Sequence, residues 1–226
     1  MFHVKHDAEF ENPDIAAAAH TLFGRRIDDA ATYRDFLADA GVVRGLIGPR
    51  EVDQMWSRHV LNCAAAGEAI ASDAHVVDIG SGAGLPGIPL ALARPDLRIT
   101  LVEPLLRRHE FLTEIVGILG LDVRVVRGRA EDKDVVSAVG GADVVTSRAV
   151  APLDRLARWS LPLLRAGGEL VAIKGSSAGD EIEKHRAALS RSGLDDLRVE
   201  SCGADTLAVA TTVVRGEYRG KPGKRR

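Results

Sequence analysis

From His75 onward the apolar residues fall into short continuous runs, separated by longer stretches in which they recur every three or four positions. The short runs predict strands at 75–79, 98–103, 122–127, 142–147, 168–173, 194–201 and 206–214. The longer stretches predict helices near 86–93, 105–119, 131–138, 152–164 and 177–191. Strands alternating with helices imply a mostly parallel sheet covered on both faces. Only Gly203-Ala204-Asp205 separates the last two strands, which predicts an antiparallel hairpin at the sheet edge. Upstream, Asp14 to Gly24 and Ala30 to Ala40 carry helical spacing, with Gly24 and Gly41 as stops. A third helix is expected from Pro49 through Val52, Met55, Val60 and Leu61. The expected organisation is a helical segment over 1–72 packed on the core, an α/β domain over 73–214, and a mobile basic tail over 215–226.

Composition narrows the classes. A chain of 226 residues makes one α/β domain with a modest extra segment. The net charge of −2 excludes a basic nucleic-acid coat, so any RNA surface is local. Cys63 and Cys202 lie far apart and no metal-ligand spacing occurs, which points to no metal and to a reduced, cytoplasmic compartment. No apolar run reaches spanning length and the polar start is too short for a signal peptide, so no membrane partner is expected. The expected state is a monomer.

Candidate chemistry centres on Asp78-Ile79-Gly80-Ser81-Gly82-Ala83-Gly84-Leu85-Pro86-Gly87, which follows the first core strand. Glycine at alternate positions lets a ligand lie against the backbone. The next strand ends in Glu103, at the spacing that brings a carboxylate to a ribose diol. Gly82 to Gly87 formally fits a dinucleotide fingerprint, which would make the chain a nicotinamide-dependent oxidoreductase. Pro86, however, removes a backbone donor that a pyrophosphate needs at the helix N-terminus. The frame Asp78-x-Gly80-x-Gly82-x-Gly84 is the usual glycine loop of S-adenosylmethionine-dependent methyltransferases. That cofactor has no phosphate, and Asp78 can order the loop and the cofactor's ammonium.

Ligands of an open α/β sheet bind beyond the carboxyl ends of its strands. The third end leads into Gly128-Arg129-Ala130-Glu131-Asp132, where adenine can meet backbone at Ala130 and Glu131. The fourth reads Thr146-Ser147-Arg148. It carries no Asn/Asp-Pro-Pro-aromatic element for amine methylation. Neither cysteine is expected near it as a nucleophile for pyrimidine C5. Lys174 is a fragment of a ribose 2′-O site, which stays open as an alternative, but no acid accompanies it. Arg148 cannot accept a proton. The site therefore suits a free lone pair such as guanine N7, with no general base and with Arg148 as a positioning group. Arg58, His59, Arg107, Arg108 and Lys174 are candidate RNA contacts. A non-catalytic RNA-binding module is a further alternative.

The run Asp78 to Ala91 resembles the ribosomal RNA small-subunit guanine-N7 methyltransferase family, also called glucose-inhibited division protein B. So do Arg58-His59-Val60-Leu61-Asn62, Arg107-Arg108-His109-Glu110-Phe111-Leu112, Ser147-Arg148-Ala149 and Ala172-Ile173-Lys174-Gly175. The resemblance implies a Rossmann-like class I S-adenosylmethionine-dependent methyltransferase fold. It implies methylation of a guanosine in the 530 loop of 16S ribosomal RNA, alone or in the small ribosomal subunit. Cofactor contacts carry over to Gly80, Leu85, Glu103, Ala130, Glu131 and Arg148, beside the loop residues Asp78 and Gly82. The family often has Asn-Leu-Thr between its second and third helices, where this chain has Gly45-Leu46-Ile47-Gly48-Pro49-Arg50.

Overall fold

The computed structural model describes residues 9–220. Its centre is a seven-stranded sheet of β1 (His75–Ile79), β2 (Arg98–Glu103), β3 (Val123–Arg127), β4 (Ala142–Arg148), β5 (Leu164–Ile173), β6 (Leu194–Cys202) and β7 (Thr211–Tyr218). The order is β3-β2-β1-β4-β5-β7-β6. The strands from β3 to β5 pair in parallel, while β7 runs antiparallel between β5 and β6. The mostly parallel sheet with an antiparallel last pair is the one the pattern predicts, and its order agrees with the fold that the resemblance implies.

Successive side chains on a strand point to opposite faces, and the core divides accordingly. Val76, Ile99, Leu101, Val144, Val171 and Val213 face one apolar cluster. Val77, Val102, Val145, Leu170, Ala172 and Val214 face the other. Helices α4 (Gly87–Ala93) and α5 (Leu106–Ile118) cover the first face. Helices α6 (Lys133–Val139), α7 (Leu153–Ser160) and α8 (Ala178–Arg191) cover the second.

The N-terminal helices belong to the first cluster. Phe23, Tyr33, Leu37, Met55, Trp56 and Leu61 are buried in the same core as α4 and α5. Helix α1 (Pro13–Phe23) starts where the Asn12 side chain accepts from the Asp14 amide, with Pro13 just inside, and stops at Gly24. Helix α2 (Ile27–Phe36) runs into a π-helical turn over Leu37–Gly41.

Several boundaries differ from expectation. The single helix expected from Pro49 is a chain of turns: 3₁₀ over Pro49–Gln54, π over Met55–Val60, α3 over Leu61–Ala65, then 3₁₀ over Ala66–Ala69. Glu9 accepts from the Trp56 and Ser57 amides, which holds the π turn from outside. Helix α7 ends at Ser160, and β5 begins at Leu164 rather than 168. The seventh strand is displaced. Residues 206–210 form a loop in which the Thr206 and Leu207 amides bond Gly203 O, and the strand starts at Thr211. The short apolar run Leu207-Ala208-Val209 has the composition of a strand, but Val209 is 80% exposed. The strand also continues to Tyr218, into the stretch expected as tail; positions 221–226 of that expectation lie outside the described residues.

Candidate active site

At the carboxyl end of β1 the chain turns through Gly80, Gly82 and Gly84, all at positive φ (66°, 59° and 99°). A side chain there would be strained, and at Gly84 a Cβ would stand 2.5 Å from Ile88 Cδ1. The Gly80 and Ser81 amides bond Val102 O on the neighbouring strand, and Ser81 Oγ donates to Asp78 O. From α2, buried Tyr33 donates its hydroxyl to Ala83 O at 2.9 Å. The loop is thus fixed from the strand side and from the N-terminal side.

Asp78 lies beneath this loop, fully buried, with Oδ2 accepting from the Gly87 amide at 3.2 Å. Burial pushes its carboxyl up to about 7, against the opposing pull of the Gly87 hydrogen bond. Of the two roles expected for Asp78, its side chain takes up the ordering of the loop, from below; it does not line the cavity, where the cofactor's ammonium was expected to meet it. It also occupies the first amide of α4, while Gly84 O takes the Ile88 amide. The helix start that a pyrophosphate would need is already satisfied, which disfavours the dinucleotide reading.

Above the loop is a cavity of about 570 Å³. The glycine loop and Leu85 form one wall. Glu103, then Ala130 and Glu131, form the next, and Arg148 to Val150 close it. Leu46, Ile47, Glu51 and His59 of the N-terminal segment reach in from the other side. Glu103 is 1% exposed, and its two oxygens accept from the Gly82 and Leu105 amides at 3.0 Å each. Each oxygen keeps a further lone pair for a diol.

Arg148 ends β4 and is held by two residues from far upstream. Its Nη1 donates to Cys63 Sγ at 3.2 Å, and its Nη2 lies 2.8 Å from His59 Nδ1. Arginine has no acceptor, so Nδ1 must be the accepting nitrogen and the imidazole proton sits on Nε2. That nitrogen lies 2.7 Å from Glu51 Oε2. Burial first, then the Arg148 charge, lower His59 to about 4 despite Glu51, so its ring is neutral at neutral pH. Burial raises the Cys63 thiol.

A second groove, of about 790 Å³, runs beside the cavity between the N-terminal helices and the loop 206–209. Arg58, Asn62 and Lys174 line it. Arg148 and Ala149 line both spaces. The candidate RNA contacts therefore separate. Arg108 lies at the cavity and Arg58 at the groove, where it meets Gln54 Oε1 at 3.3 Å. Arg107 is exposed and lines neither. His59 is only 5% exposed and its lone pair is occupied, so it is not placed as a phosphate contact. Lys174 bonds Ala151 O at 2.9 Å and pairs with Glu181 at 3.0 Å, with a side chain 13% exposed. Its charge is compensated internally.

Glu51, Cys63 and Tyr33 were not among the expected site residues. Cys63 was expected to lie away from the fourth strand end, whereas the fold brings it against Arg148. No sequence spacing announces these contacts. No group of three or more His, Cys, Asp or Glu side chains fit to hold a metal occurs among the described residues. Nor is any described helix long and apolar enough to cross a membrane.

A glycine loop after β1, a carboxylate ending β2 and this strand order define a class I S-adenosylmethionine-dependent methyltransferase. The fold is shared with a putative S-adenosyl-L-methionine-dependent methyltransferase of Methanococcus maripaludis. That match has a TM-score of 0.56 at 14% identity and covers 86% of this chain and 94% of that one. It is also shared with TYW2 of M. jannaschii, solved in complex with AdoMet. There the TM-score is 0.55 at 20% identity, covering 73% and 78% of the two chains. The sequence goes further: residues 26–210 match the rRNA small subunit methyltransferase G (GidB) family model, and the chain belongs to that family. Relatives named ribosomal RNA small subunit methyltransferase G include that of Rhodococcus jostii, 59% identical over the whole of both chains. The Mycolicibacterium smegmatis relative is 58% identical over 94% of this chain and 91% of its own.

Proposed function

We propose that this methyltransferase modifies N7 of a guanosine in the 530 loop of 16S ribosomal RNA, in the cytoplasm, and does so without a general base. S-adenosylmethionine supplies an activated methyl group on a sulfonium. The cradle suits it. Gly80 leaves room that a Cβ would fill, 3.0 Å from Val150 Cγ2. Gly82 presents open backbone, and Leu85 adds an apolar wall. Glu103 takes the ribose hydroxyls with its remaining lone pairs, and the Ala130–Glu131 backbone receives the adenine. Arg148 borders the place where the cavity meets the groove.

The carrying observation is the state of His59. It is the imidazole beside Arg148, yet its one lone pair is occupied and its other nitrogen carries a proton. It cannot take a proton from a ribose hydroxyl, which argues against the 2′-O alternative. Guanine N7 needs none. Its in-plane lone pair forms the new N–C bond as the S–C bond breaks, and the positive charge passes from sulfur to the purine. Proximity and alignment then carry the reaction.

Two measurements test this reading. Small subunits from cells lacking the protein should gain N7-methylguanosine when treated with it and S-adenosylmethionine. Single-turnover rates at saturation should be flat from mildly acidic to mildly alkaline pH. A rate rising tenfold per pH unit and abolished by His59→Ala would overturn the base-free reading.

A further inference from the structure

In the guanine-N7 reading the methyl group passes between the cavity, which holds the cofactor, and the groove beside it, which receives the acceptor. Two residues line both spaces, Arg148 and Ala149. Ala149 offers only a methyl side chain, so Arg148 supplies the polar side chain at the crossing. Its guanidinium has five N–H donors and no acceptor. Contacts to Cys63 and His59 engage one nitrogen each, which leaves further N–H groups for a ligand.

N7 by itself does not distinguish the purines, since adenine carries the same lone pair. The adjacent position does. Guanine has the O6 acceptor there, and adenine has an amine donor. A donor-only group beside the reacting nitrogen fits guanine and sets donor against donor with adenine. In a desolvated site such a mismatch discriminates strongly.

We propose that Arg148 selects the acceptor by donating to guanine O6, and that His59 and Cys63 aim it from the N-terminal segment. This rests on the guanine-N7 reading above. His59 and Cys63 act through Arg148 and are positioning residues. Glu51 completes the arrangement, because the Nε2 proton it faces leaves Nδ1 as the accepting nitrogen. The discriminating group thus sits on the sheet, and its orientation is set by a segment that ends before the first strand.

The test uses small subunits reconstituted with either guanosine or 2-aminopurine ribonucleoside at the methylated position. The analogue keeps N7 and the 2-amino group but lacks O6. Wild-type protein should prefer guanosine by about tenfold to a hundredfold, the discrimination of one good base contact. In Arg148→Met that preference should shrink by about tenfold or more. Intrinsic differences in N7 reactivity cancel in the ratio of the two preferences. His59→Leu should also lose preference, with kcat falling more than KM rises. His59→Asn puts an amide oxygen near the former Nδ1 and should recover most of it. Calorimetric binding of S-adenosylmethionine and thermal melting check that the His59 variants are folded. Undiminished preference in Arg148→Met overturns the proposal. Should that variant be too slow to measure, the His59→Leu preference decides in its place, and an undiminished preference there overturns the proposal. Failure of the wild type to make N7-methylguanosine on the guanosine substrate is a separate outcome, and it sinks the underlying reading as well.

Discussion

The two halves of the site are made by different means. On the β1–β2 side, shape comes from backbone: three glycines at positive φ, a strand-end carboxylate that bonds two amides, and a buried Asp78 below. On the β4 side, shape comes from side chains that meet from remote parts of the chain, with Glu51, His59 and Cys63 converging on Arg148. The first half has little slack, because positive φ strains a side chain at all three glycines and a Cβ at Gly84 would also collide with Ile88. The second rests on side-chain contacts of 2.7 to 3.2 Å between elements far apart in the chain. Damage to the first should therefore register as lost folding and cofactor binding, and damage to the second as lost rate or selectivity.

The sharpest division should come from Gly87. A Cβ there would stand 2.2 Å from Leu101 Cδ2 and 2.9 Å from Asp78 Oδ2. Gly87→Val should destabilise the fold by about 3 kcal/mol, the upper range for overpacking. Urea unfolding would show it, and an unchanged midpoint would mean that the loop is looser than described.

Asp78 offers a comparably large effect through pH. Its carboxyl is raised by burial to about 7, so the folded state holds the proton more tightly than the unfolded chain does. Its contribution is complete below the unfolded value of about 4. It declines as pH rises through the folded value of about 7. Stability of the ligand-free protein should fall over that interval by a few kcal/mol, at ~1.4 kcal/mol per unit of difference. Asp78→Asn should flatten the profile; denaturant melts at several pH values decide it.

Glu103→Ala should weaken S-adenosylmethionine binding by about 1–3 kcal/mol, since it removes the diol acceptor and frees two loop amides. Titration calorimetry measures this, and equal affinity in the variant would remove Glu103 from the cofactor site. The smallest contrast lies among the basic residues. Arg58→Ala should reduce the slope of log affinity against log salt for RNA by about 1. Lys174→Met should leave that slope unchanged and lower stability, because Lys174 serves Glu181 and Ala151 O. A changed slope in Lys174→Met would return it to the RNA surface.

Legibility in the sequence follows the same division. The placement of Gly80 to Gly84 and of Glu103 was readable because it depends on local backbone and on the fixed length of one β-α-β unit. The sheet was readable from short apolar runs alternating with helical stretches, except where the loop 206–210 carries such a run and turns back on Gly203 O instead of pairing. The turns over 49–69 were not readable as such, because their apolar residues still recur at helical spacing. His59 and Lys174 stand out in the sequence as RNA contacts, and Asp78 as a group ordering both loop and cofactor. What redirected them was burial and partners contributed by other elements, and these are products of tertiary packing. Cys63 and Glu51 carried no signal at all before β4 and the N-terminal segment came together.

The spacing of the contacts along the chain also orders events in time. Gly82 and Glu103 are 21 residues apart, whereas His59 and Arg148 are 89 apart. Closing the longer loop costs about 1 kcal/mol more chain entropy, and non-local contacts delay folding. A refolding chain should therefore regain the ability to hold S-adenosylmethionine before it regains methyl transfer. The interval between the two recoveries would report how late the N-terminal segment docks.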